Sequence, residues 1–141
     1  MKKIEECDYK PDFEILDRYL NFSSELLRLS LLGISGFGAL LILKYTKDNL
    51  LPFTTCVTTS FFVSMMFLAL CAAFCLAHRF FATDYMSYHI KYLRTDESGE
   101  RTEGNKLLKL SGYMLIAAEY AFGLGMMVFA LAIYFMIFGN K

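Results

Sequence analysis

Glu119 is the only charged residue in three long apolar runs, residues 29–43, 50–77 and 110–140. An ionisable group at the centre of a bilayer costs roughly 2.5–3.5 kcal/mol on insertion scales, so it usually faces protein or water and often marks an ion or proton path. Counting back roughly 20 residues from Phe138 places Glu119 near one end of its apolar core rather than at the middle. Arg28, His78 and Arg79 fall at about the same level on the other two runs. Three readings follow. Glu119 pairs with Arg28 or Arg79 and locks the helices together, or it belongs to a charged ring or gate around a pore, or it rests at the lipid interface.

The remaining reactive side chains point away from catalysis. His78 and His89 are eleven residues apart, close to three helical turns, so they share a face but stand about 16 Å apart along the axis. Within one copy they cannot hold one ion, and the pattern reads as a packing seam of aromatic and histidine rings. Cys71 and Cys75 share a helix face inside an apolar run, where thiols serve as small packing residues, and Cys7 and Cys56 stand apart. No metal site, disulfide framework, HExxH, GxSxG, Walker loop or GxGxxG is present. Neither an enzyme nor a bound cofactor is expected.

The elements that must position these groups are legible from composition. Of 141 residues, 56% are hydrophobic, more than an ordinary soluble domain carries. Fourteen basic residues balance fourteen acidic ones, which argues against nucleic acid as a partner. The fold class expected is an all-α integral membrane protein, one domain with three transmembrane helices: residues 29–45, 52–77 and 106–138. The charged start of the chain and the late first apolar run do not read as a secretory signal, so the first span should be retained. Pro52 suits the first turn of the second span, and the charged stretch 95–105, TDESGERTEGN, reads as an exposed turn. The segment to Arg28 carries five Lys/Arg and residues 79–109 carry six, against two in the first loop and one at the C-terminus. The positive-inside rule then puts the N-terminus and second loop in the cytoplasm and the C-terminus outside.

Two flanking segments have helical rather than loop character. In residues 12–28, polar Glu14, Asp17, Asn21, Ser24 and Arg28 recur at three- and four-residue steps while Phe13, Leu16, Leu20 and Leu27 occupy another face. Asp12 follows Pro11 as an N-cap candidate. In residues 78–94, Asp84, Ser87, Lys91 and Arg94 repeat that spacing, so the second span should continue as a cytoplasmic extension. The mixed, slightly acidic polar face favours packing as a bundle over lying flat on headgroups. Within the spans, Ala69, Ala73 and Ala77, and likewise Ala117, Ala121 and Gly125, recur every four residues, as close helix packing in lipid requires. Glu119 projects roughly opposite the second stripe. Helix three therefore has two protein-facing sides, which points to a homo-oligomer.

The run 12–28, the hairpin 29–78 and the extension 79–94 together resemble the SLATT-type small membrane modules of bacterial conflict and antiphage systems, although those have two spans and this chain three. The resemblance implies a pore-forming effector. The expected function is thus a small multi-pass, homo-oligomeric ion channel or pore. The alternative is a structural or adaptor subunit whose cytoplasmic helices meet a soluble protein or small ligand. The lipid bilayer is the surrounding partner in either case, the cytoplasmic membrane if the source is bacterial.

Overall fold

The computed structural model describes residues 9–46, 55–95 and 98–138. They form three helices: α1 (Lys10–Thr46), α2 (Thr55–Thr95) and α3 (Ser98–Phe138). Each is long and apolar enough to cross a membrane. At 1.5 Å per residue, helices of 37 and 41 residues run for about 55 and 60 Å, nearly twice a hydrocarbon core of about 30 Å. The expected amphipathic segment 12–28 and the first span are one uninterrupted helix, and α2 likewise carries the second span on through residue 94. The first loop and Pro52 lie outside the described residues.

Two boundaries differ from the sequence reading. Asp12 does not cap α1, because the helix has already begun at Lys10 and its first bond runs from Phe13 N–H to the Tyr9 carbonyl (3.1 Å). Pro11 thereby falls in the first turn, where a missing N–H leaves nothing unpaired, and Asp12 places a carboxylate at the positive end of the helix. The stretch 95–105 is no extended turn either. Thr95 ends α2 and Ser98 opens α3, and three features favour helix over loop there. Glu100 in the first turn takes Lys91 Nζ at 2.9 Å and the Thr95 hydroxyl at 3.1 Å. Glu103 and Lys106 pair one turn apart at 2.6 Å. Gly104, which sequence alone marks as a turn residue, is buried where the Tyr85 and Tyr88 side chains would lie 3.6 and 3.5 Å from an added Cβ. Its lack of a side chain serves a close approach of helices rather than a change of direction.

The inward faces follow a 3.5-residue period. On α2 the buried residues step by four and three without a break: Val57, Phe61, Ser64, Leu68, Cys71, Cys75, His78, Ala82 and Tyr85. On α3, Ser111, Leu115, Ala118, Gly125 and Ala132 are buried, with half-buried Phe122 and Phe129 completing the same steps. On α1, Leu16, Ser23, Ser30 and Phe37 recur every seven residues. This is the spacing of left-handed, knobs-into-holes helix packing.

The chain divides into two compact units, and every helix contributes to both. The polar-rich unit comprises the described residues 9–25, 74–95 and 98–117, and its core is Leu16, Ala82 and Tyr85, flanked by Leu20, Met86 and Leu107. The apolar unit comprises described residues 26–46, 55–73 and 118–138. Its core is Phe37, Val57, Phe61, Leu68 and Ala132. Phe37, Phe61 and Phe129 form an aromatic triangle with ring centroids 4.4–5.9 Å apart. Five hydroxyls of this unit are satisfied inside protein. Ser30, Ser35, Thr59 and Ser60 each donate to the carbonyl four residues back, and Ser64 Oγ crosses to the Gly125 carbonyl at 2.8 Å. That crossing depends on Gly125, where an added Cβ would stand 3.2 Å from Phe67 and 3.3 Å from Leu68.

Candidate functional site: outward charges and a polar seam

The residues singled out by charge separate in the structure. Arg28 and Glu119 belong to the apolar unit, and both are exposed. None of the ion pairs between described residues includes Arg28, Arg79 or Glu119. Arg79, in the polar-rich unit, instead donates to Ser24 Oγ at 2.6 Å. Glu119 therefore presents a carboxylate on the outside of an apolar helix, one position from the fully buried Ala118.

The small-residue stripes divide in the same way. Ala121 and Gly125 are buried and Ala117 is half-buried, so the stripe on α3 lies along the seam. Ala69 and Ala73 are exposed and Ala77 half-buried. On α2 the inward positions are Leu68, Cys71 and Cys75, one or two residues away from these alanines.

His78, in the polar-rich unit, is buried, 2% exposed. Its Nδ1 lies 2.8 Å from Ser111 Oγ and 2.9 Å from the Ser111 carbonyl, so either tautomer finds a partner on that side. Its Nε2 is buried with no hydrogen-bond partner among the described residues. One turn earlier, Ser23 Oγ donates to the Cys75 carbonyl at 3.4 Å. His78 thus joins α2 to α3 through a serine rather than through aromatic rings. His89 does pack among rings, with Phe13 at 5.9 Å and Tyr85 at 5.6 Å. Its Nε2 lies 3.8 Å from Asp12 Oδ2, too far for a hydrogen bond, and a proton on the imidazole would make that approach an ion pair.

His89 also lines a cleft of about 240 Å³ in the polar-rich unit, together with Asp12, Tyr85, Tyr92, Glu100, Arg101, Gly104 and Asn105. Arg101 lies over the Tyr92 ring, 5.6 Å from its centroid. Burial, and secondarily the Asp12 carboxylate, push the Tyr85 phenol above its ordinary value, so it stays neutral. Sequence reading missed this cleft because half of its wall comes from the stretch taken for a turn. It missed the buried serines because a serine in an apolar run carries no sign of the direction it faces. The signal that finds them is the four-three spacing, which places Ser64 and Ser111 in register with Leu68 and Ala118. Among the described residues, no three His, Cys, Asp or Glu side chains are grouped to hold a metal ion.

Comparison with protein-family models, with curated proteins and with solved structures returns no match.

Proposed function

We propose that this protein is a multi-pass membrane protein that works as a homo-oligomeric channel or pore-forming effector, the role that the resemblance to SLATT-type modules also suggests. The observation that carries this reading is Glu119, a carboxylate exposed on the outer face of an apolar helix. Such a group is costly against lipid and is accommodated by protein or water. The interior of one copy does not take it up and holds no open path, because the core of the apolar unit is filled by the Phe37, Phe61 and Phe129 rings with Leu68 and Val57. Both a partner for Glu119 and an aqueous path are therefore sought between copies. Purified protein in a planar bilayer should conduct ions. Absence of conductance at every pH and voltage, from protein that is folded and inserted, would overturn the channel reading.

The orientation belongs to the same proposal. A reporter joined after Lys141 should report the outside, and one inserted beside Gly99 the cytoplasm, as the eleven-to-three distribution of basic residues requires. The reverse labelling would overturn this orientation.

A second reading, an adaptor subunit, is favoured by the cleft around His89 and Arg101. Co-purification of one stoichiometric soluble partner, lost on Arg101→Glu, would establish it.

A further inference from the structure

We infer that Arg28 of one copy pairs with Glu119 of a neighbouring copy, so that the outer faces of α1 and α3 form the contact between copies. The inference rests on the homo-oligomeric reading above. It starts from a matter of height within the apolar unit. An added Cβ at Gly33 on α1 would lie 2.6 Å from Leu68, and one at Gly125 on α3 would lie 3.3 Å from the same side chain, so these two glycines are level. Both α1 and α3 run antiparallel to α2 here. Moving up α1 from Gly33 to Phe37 leads down α2 from Leu68 to Phe61, and moving up α3 from Gly125 to Phe129 does the same. Arg28 precedes Gly33 by five residues, about 7.5 Å, and Glu119 precedes Gly125 by six, about 9 Å. The two opposite charges thus sit at nearly one depth, both exposed and neither ion-paired among the described residues.

Among the exposed Leu31 and Leu32 above Arg28, and Met126 and Met127 above Glu119, each outer face also carries small residues. On the exposed face of α1 above Arg28 come Ser35 and Gly36, and on that of α3 above Glu119 comes Gly123. A Cβ added at Gly36 or Gly123 would meet nothing within 4 Å. In lipid, such small residues on an outer face let helices of different copies approach closely at those points. Because copies in one membrane share a direction, matched heights bring Arg28 and Glu119 together without any tilt. An α1-to-α3 contact is also heterologous, the kind of contact that builds a ring where its rotation closes.

The test uses full-length protein in mild detergent and in lipid nanodiscs, with mass measured by light scattering. Arg28→Glu and Glu119→Arg should each weaken self-association by about tenfold or more, because like charges then oppose one another. Mixed with differently tagged chains, the two variants should co-assemble, since each supplies what the other lacks. That result cannot arise from a bond inside one chain. Gly123→Leu should keep the helical content and thermal stability of one copy but dissociate the assembly. A wild-type chain that is monomeric throughout would overturn both this contact and the oligomeric reading. A wild-type oligomer unaffected by either charge reversal would overturn the contact alone. So would an effect of Arg28→Glu limited to binding of anionic lipid vesicles.

Discussion

Leu68→Ala should destabilise the apolar unit by about 2 kcal/mol in a bilayer, the low end of the range for emptying a buried leucine site. Leu68 is fully buried and is, among the described residues, the one side chain that meets both Gly33 and Gly125. In water, the loss would contain a transfer contribution for the deleted carbons. Lipid tails are as apolar as leucine, so that contribution falls away and the lost packing around the cavity dominates. The glycines cannot collapse into the gap, having no side chains to move. Leu70, two residues on and 45% exposed, provides the comparison, and its replacement by Ala should change stability by no more than about 0.5 kcal/mol. Denaturant titration of both variants, followed by circular dichroism, decides the matter. Equal effects would mean that the seam does not carry the stability of this unit.

Tyr85→Lys should cost more, about 3 kcal/mol or above, and should act on the polar-rich unit. Tyr85 is 9% exposed, packs with Leu16 and Ala82, and has its ring against Gly104. A lysine there buries an ammonium in a cleft whose carboxylates are Asp12 and Glu100, the latter already holding Lys91, and an incompletely paired buried charge is among the few causes of losses this large. Tyr92→Lys, at a half-buried position on the cleft wall, should be milder, removing mainly the ring beneath Arg101. Protease susceptibility of residues 9–25 and 98–117 offers a direct readout. If Tyr85→Lys leaves cleavage and melting temperature unchanged, the tyrosine face is solvated and the helices do not pack as described.

Three apolar runs and the isolation of Glu119 within them are properties of composition summed over short windows, and sequence alone determined them. The continuation of α1 and α2 beyond those runs was also legible, since polar residues at three- and four-residue steps mark a helix wherever one face meets water. The direction in which each apolar residue points was not. Within residues 55–77 every face is apolar, so no contrast of polarity sets the phase. The stripe at Ala69, Ala73 and Ala77 suggested an inward face that packing gave instead to Leu68, Cys71 and Cys75. Phase is decided by which side chains fill the space between three helices, a property of pairs of residues far apart in sequence, such as Ser64 with Gly125 or His78 with Ser111. The same holds for Gly104, whose local signal is a turn until Tyr85 and Tyr88 come to lie against it. For Arg28 and Glu119, sequence supplied opposite charges at a common depth. Only the tertiary structure turned both of them outward, because the seam was already filled by side chains that could be buried without a counter-charge.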